Sequence, residues 1–135
     1  MKIFSPSIRP IAPDLASLLL RLSAGGFMLT HGIPKLQRML AGEFSFADPI
    51  GLGPEVSLVL AVFAEFLCSV FVILGFRTRL SVIPLIVTMF VAAFISLSAD
   101  PFGRKELSLL YLAVFTVLFL IGSGKYSVDN LFSKK

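Results

Sequence analysis

Residues 55–75 read EVSLVLAVFAEFLCSVFVILG. The run is almost wholly apolar, and Glu65 is the one charged side chain in its interior. A helix that crosses the roughly 30 Å hydrocarbon core of a bilayer takes about 17 to 25 residues, which is the length of this run. A strand of a membrane barrel would need about ten residues of alternating polarity, and the run does not alternate. This stretch therefore predicts a membrane-spanning helix.

Three further apolar runs of similar length accompany this one. They lie at about 15–33, 80–98 and 107–122. Asp14 is suited to be the N-cap of the first run, and Pro34 is expected to end it. Together the four runs predict an all-α membrane protein, a bundle of four transmembrane helices that forms a single domain over residues 1–135.

The composition excludes several classes of protein. Of 135 residues, 56% are hydrophobic and 15% are charged, and the mean hydropathy is +0.93, so too little polar surface exists to cover a small water-exposed globule. A single cysteine, Cys68, excludes a disulfide-stapled module and internal dithiol chemistry. The net charge is +4, but the basic residues fall in short clusters between the apolar runs. That pattern favours contact with the lipid bilayer and not with nucleic acid.

The distribution of Lys and Arg predicts the orientation, because positive loops are retained in the cytoplasm. One side carries seven of these residues: Lys2, Arg9, Arg77, Arg79, Lys125, Lys134 and Lys135. The other side carries four: Lys35, Arg38, Arg104 and Lys105. Both termini are therefore expected in the cytoplasm, with loops 34–54 and 99–106 facing outward. Loop 34–54 is the longest connection, and long loops are often functional.

Two ionisable side chains, Arg21 and Glu65, lie inside the apolar runs. Charges at membrane depth are costly, so each is a candidate functional residue when a partner exists. Counted from the cytoplasmic ends of their helices, Arg21 is about 10 Å deep and Glu65 about 15 Å deep, so an ion pair between them is expected. Such a pair either docks the first two helices or forms a polar floor for a ligand head group or a proton transfer.

His31 is the only histidine and lies at the outer end of the first predicted helix. Glu106, or else Asp100, could meet it near the outer mouth of the bundle. An imidazole beside a carboxylate titrates near neutral pH, which suits proton exchange with a quinone. The alternative is a histidine wetted at the membrane edge, with Glu106 a favourable charge at a helix N-terminus. No metal site is predicted, since the soft donors are only His31 and Cys68.

Short motifs follow one another along the chain. Arg21 and Gly25 precede HGIPKL at 31–36, Gly51-Leu52-Gly53-Pro54 precedes Glu65 and LGFRTRL at 74–80, and Glu106-Leu107 with Tyr111 precedes GSGKYSVD at 122–129. This ordered set resembles the DoxX family over nearly the whole chain. The resemblance implies a multi-pass, four-helix protein of the bacterial inner membrane. It also implies a redox context, because the family takes its name from a subunit associated with thiosulfate:quinone oxidoreductase.

Three functions are consistent with these features. The first is an accessory or anchoring subunit of a membrane redox complex, which docks a redox partner protein or a second copy of the chain. The second is a quinone-binding oxidoreductase subunit. The third, a small proton-coupled transporter, ranks lowest because inverted repeats and broken helices are not evident. No flavin, haem or nicotinamide motif is present, so catalysis by the isolated chain is not expected and quinone is the one cofactor considered. The candidate ligand-binding residues are Arg21, His31, Glu65, Glu106 and Tyr111.

Overall fold

The computed structural model describes residues 6–133, which form five helices and no strand. In chain order they are α1 (Ala12–Leu40), α2 (Pro54–Leu74), α3 (Thr78–Ser96), α4 (Phe102–Ile121) and α5 (Val128–Ser133). The predicted all-α class is confirmed. Lys2, Lys134 and Lys135, which contribute to the predicted charge asymmetry, lie outside the described residues.

The four long helices pack in a ring. α1 packs along α2, α2 against α3, α3 against α4, and α4 returns to α1. Side chains from all four helices fill the centre, among them the fully buried Met28, Val72, Leu85, Phe115 and Leu118. The outside of the bundle is also apolar, because every long helix exposes many large hydrophobic side chains.

Two of these helices, α2 and α3, are long and apolar enough to cross a membrane. They correspond closely to the predicted runs 55–75 and 80–98. Within residues 6–133, α1 and α4 do not meet the same criterion of length and composition. α1 carries Arg21 in its interior, and the first turns of α4 contain Arg104, Lys105 and Glu106.

The boundaries of α1 differ from the prediction at both ends. Pro34 does not stop the helix, which continues to Leu40, so the loop between α1 and α2 is 41–53 and not 34–54. A proline inside a helix removes one backbone hydrogen bond, but tertiary contacts made by the following turn can offset that loss. At the other end the helix begins at Ala12, and Asp14 lies within the first turn instead of forming the N-cap. Pro13 explains the earlier start, because its fixed φ suits the first turn of a helix.

Two short stretches of the helices have π geometry. Phe63–Cys68 interrupts α2 at its middle, and Ala92–Ser96 forms the last part of α3. A π turn accommodates one extra residue and often occurs at a functional site, because it turns side chains away from the register of the α-helix. Glu65 lies in the first of these stretches, so the register of the α-helix does not set its direction.

Glycines let α1 approach α2 closely, as small faces do in membrane helices. A Cβ atom on Gly32 would collide with the backbone of Glu65, and one on Gly25 would lie 2.6 Å from Cγ1 of Ile73. The pairing of late α1 with the middle of α2, and of earlier α1 with the end of α2, shows that the two helices run antiparallel. Gly32 and Glu65 therefore lie at the same level of the bundle.

Candidate outer cavity and the Lys35–Glu65 ion pair

A cavity of about 200 Å³ lies between α2, α3 and the loop 41–53. The loop reaches it because Ser57, at the start of α2, donates a hydrogen bond of 3.2 Å to the Asp48 carboxylate. Both π stretches border the cavity through Glu65, Ala92 and Ser96. Most of the lining is apolar and includes Phe46, Pro49, Leu60, Ala61, Val87 and Met89.

One ion pair forms the charged part of the cavity wall. The Lys35 ammonium donates to a carboxylate oxygen of Glu65 at 2.5 Å. Glu65 is buried, with 4% of its surface exposed, whereas the Lys35 side chain keeps 24% of its surface. The same ammonium lies 5.9 Å from the centre of the Phe46 ring, which joins the ion pair to the loop. A positive and a negative group are thus presented together to an apolar space.

The predicted ion pair between Arg21 and Glu65 is wrong. Glu65 is level with Gly32, which is eleven residues, or about 16 Å, along α1 from Arg21. The Cα–Cβ bond of a helical residue tilts toward the N-terminus of its helix. In two antiparallel helices, Arg21 and Glu65 consequently lean apart, while Lys35 and Glu65 lean toward each other.

Arg21 instead lies at the end of the bundle opposite the Lys35–Glu65 ion pair and is fully buried. Its Nη1 donates to the carbonyl of Ile73 at 3.1 Å, and its Nη2 donates to the carbonyl of Tyr126 at 2.5 Å. Gly75 makes room for the guanidinium, since a Cβ there would lie 2.5 Å from Nη1. Arg21 therefore fastens the segment before α5 to the end of α2.

The closing motif, residues 122–129, lies at the same end of the bundle as Arg21. Both oxygens of Asp129 accept backbone N–H bonds at the start of α3, from Arg77 at 2.7 Å and from Thr78 at 3.1 Å. The Ser17 hydroxyl donates to the carbonyl of Gly122 at 2.7 Å. These contacts give the motif a structural function, which is to connect α1, α3 and the end of α4.

The other candidate residues, His31, Tyr111, Glu106 and Asp100, do not form a single cluster. The ring of His31 meets that of Tyr111 edge to face, with centroids 6.1 Å apart, and the neighbouring Gly32 lies against the backbone of Glu65. Glu106 is exposed, and within the described part of the chain no hydrogen bond or ion pair joins it to His31. Asp100 pairs with Arg104 at 3.4 Å. The structure thus brings His31, Tyr111 and Glu65 into one region and leaves Glu106 outside it.

The sequence pattern that defines the DoxX family matches residues 16–97, a segment that contains Lys35, Glu65 and most of the cavity lining. The chain belongs to the DoxX family. This family is membrane-associated.

A relative of this DoxX protein occurs in Bacillus subtilis (strain 168), where it is named "Putative oxidoreductase CatD". The two are 31% identical over 117 residues, which is 86% of each chain. No solved structure gives a significant match.

Sequence reasoning did not select Lys35, which lines the cavity and pairs with Glu65, because Pro34 was expected to end the helix before it. A signal was available: Arg21, Met28 and Lys35 are spaced by seven, so a continuous helix places all three on the same face. Phe46 was equally inaccessible to prediction, because a loop residue has no helical spacing from which its neighbours can be inferred.

Proposed function

We propose that this DoxX protein is a subunit of a membrane redox complex and that its outer cavity binds the head group of a quinone. The observation that carries the proposal is the Lys35–Glu65 ion pair in the wall of an otherwise apolar cavity. Ligand sites in proteins commonly combine an apolar lining with a few polar groups that fix orientation. The name of the Bacillus subtilis relative describes that protein as an oxidoreductase, which supports the redox context.

The proposal includes the placement of the chain in the membrane. All four long helices would span the bacterial inner membrane, with both termini in the cytoplasm and the cavity near the outer face. Support comes from the exposed apolar side chains of the two less apolar helices, such as Leu19 and Phe27 on α1 and Leu110 and Leu120 on α4. The interior charge of α1, Arg21, is turned away from lipid because it is fully buried.

The chemistry of a quinone head group matches the groups present. Its ring is flat and apolar, and its carbonyl oxygens accept hydrogen bonds, which the Lys35 ammonium can donate. Reduction to the quinol takes two electrons and two protons. The Glu65 carboxylate would accept each proton from the proton route and pass it to a quinone oxygen held by Lys35. The volume of about 200 Å³ is below the roughly 300 to 1,000 Å³ of sites for drug-sized molecules, so it suits one ring with the tail outside.

A partner protein would exchange the electrons, since the sequence has no motif for a flavin, haem or nicotinamide. Protons would travel between the outer surface and Glu65 past His31 and Tyr111. This route is supported by the exposure of His31 and by its edge-to-face ring contact with the buried Tyr111.

Mass spectrometry of the lipids that copurify in mild detergent tests the proposal. We expect about one quinone per wild-type chain and at least a tenfold loss in Lys35→Met and in Glu65→Gln, given that a charge-assisted hydrogen bond contributes about 1.5 to 3 kcal/mol. Glu106→Gln is the matched control, because this carboxylate is exposed and outside the cavity. Folded wild-type protein without quinone, or equal quinone in Glu65→Gln and Glu106→Gln, would contradict the proposal and leave an anchoring subunit without a ligand.

A further inference from the structure

A polar pocket of about 280 Å³ lies at the inner end, between the start of α3 and the end of α4. Its lining includes two arginines, Arg77 and Arg79, together with Thr78, Gly122 and Asp129. It is separate from the outer cavity, with which it shares no lining residue.

Several hydrogen-bond donors in this pocket have no partner. The Asp129 carboxylate is already occupied by the backbone N–H groups of Arg77 and Thr78. Within residues 6–133 the Arg77 guanidinium makes no hydrogen bond or ion pair. It lies over the ring of Phe76, 6.0 Å from the ring centroid. Among the described residues, the hydroxyl of the fully buried Thr78 has no hydrogen-bond partner. The pocket is therefore electropositive and offers free donors to an anion.

Arg79 adds a second guanidinium that is held in place. Its Nε donates to the carbonyl of Phe119 at 3.0 Å, at the end of α4. Gly122 lies against the guanidinium, since a Cβ there would be 3.1 Å from Nη2. Nη2 also donates to the carbonyl of Leu120 at 3.4 Å, which leaves three of the five guanidinium N–H groups unused within residues 6–133. A fixed guanidinium is suited to phosphate because its donors match two phosphate oxygens at once.

An apolar groove of about 340 Å³ begins where the polar pocket ends. It runs between α2 and α3 past Cys68 as far as Phe63, and its wall also includes Phe71, Phe76, Leu80, Ile83 and Pro84. Arg77 and Leu80 line both the pocket and the groove, so the two spaces meet at these residues. The electropositive pocket thus continues into the groove, which is lined by aliphatic and aromatic side chains.

We propose that this composite site binds one anionic phospholipid, with its phosphate at Arg77 and Arg79 and one acyl chain in the groove. Basic pockets between helices on the cytoplasmic side of a membrane are suited to anionic head groups, and burial of the chain adds to the electrostatic attraction. The site does not depend on quinone binding, but it rests on the proposed placement of the chain in the membrane, in which this end of the bundle faces the cytoplasm. A free phosphate would use the arginines in the same way but would not use the groove, and this difference separates the two sources of the anion.

Native mass spectrometry of the full chain in detergent measures the binding. The probes are dioleoyl phosphatidylglycerol, which is anionic, and dioleoyl phosphatidylcholine, which is zwitterionic, and inorganic phosphate is tested alone. We expect preferential retention of one phosphatidylglycerol and about fivefold weaker retention in Arg77→Gln, from about 1 kcal/mol per basic residue at a membrane surface. Arg104→Gln, at an exposed arginine of the opposite end, is the control and should bind like the wild type.

A second variant tests the groove independently of the charge. Ile83→Trp should fill the groove and weaken retention, whereas Val117→Trp, at a site of similar exposure outside the groove (41% against 43%), should not. Equal retention of the two lipids by wild-type protein, or equal effects of Arg77→Gln and Arg104→Gln, would overturn the proposal. Equal effects of the two tryptophan variants would also overturn it, in favour of free phosphate. Should Arg77→Gln fail to fold, the comparison of lipids in the wild type and the tryptophan pair still decide the outcome.

Discussion

The carboxylate of Glu65 lies 2.5 Å from the ammonium nitrogen of Lys35, across the interface between α1 and α2. The carboxylate is buried in a π-helical stretch, and the ammonium comes from the turn that follows Pro34. A buried carboxylate keeps its charge only when a partner compensates for the loss of water. The continuation of α1 past Pro34 is therefore what permits a charged residue at this depth of α2.

Breaking the ion pair on one side should destabilise the bundle. Lys35→Met leaves the Glu65 carboxylate buried without its partner, and we expect a loss of roughly 3 kcal/mol, at the lower end of the range for buried pairs because Lys35 keeps some contact with water. The double variant Lys35→Met/Glu65→Gln should recover part of this loss. Equilibrium unfolding in mixed micelles measures all three proteins, and additive losses would contradict a direct interaction.

Arg21 and Glu65 should behave as independent sites. Because their side chains bond to different groups at opposite ends of the bundle, the effects of Arg21→Leu and Glu65→Leu on the free energy of unfolding should add within about 0.5 kcal/mol. The same unfolding measurement on the two single variants and the double variant provides the test. A coupling energy well above 1 kcal/mol would mean that the two residues interact.

Gly32 should be intolerant of a side chain. Gly32→Ala places a methyl group into the backbone of Glu65, and we expect it to destabilise the protein by at least about 1 to 3 kcal/mol, as overpacking does. Gly26 provides a matched control in the same helix, because a Cβ there meets nothing within 4 Å. Gly26→Ala should be neutral or should stabilise α1 by up to about 1 kcal/mol. Similar thermal stability of both variants would contradict the close packing of α1 on α2.

Asp129 should stabilise the start of α3. Asp129→Ala removes the acceptor of two backbone N–H bonds, so we expect a loss of about 1 to 2 kcal/mol in the free energy of unfolding. Asp100→Ala is the control, because its ion pair with the exposed Arg104 should contribute about 0 to 1 kcal/mol. Hydrogen exchange in the first turn of α3 should be faster in Asp129→Ala and unchanged in Asp100→Ala. Unchanged exchange in Asp129→Ala would contradict a stabilising role of the Asp129 carboxylate at this helix end.

Local pattern was sufficient to predict much of the fold. The runs 55–75 and 80–98 correspond to α2 and α3, since continuous apolar length in a chain without alternation leaves few structures other than a helix. Asp14 and Pro34 were less informative because the ends of a helix depend on weak signals that packing can override. Glu65 was recognised as a candidate from its depth alone.

The sequence by itself determined that this protein is helical, strongly apolar and built around a buried glutamate. Only the tertiary structure decided which basic residue forms the ion pair with that glutamate. Depth along a helix was counted from assumed ends, and α1 extends past the end of α2 near Gly75, so the count misplaced Arg21 relative to Glu65. The relative shift of two antiparallel helices, and the lean of each side chain toward the N-terminus of its own helix, arise from packing between segments. Neither is encoded in the spacing within a single segment.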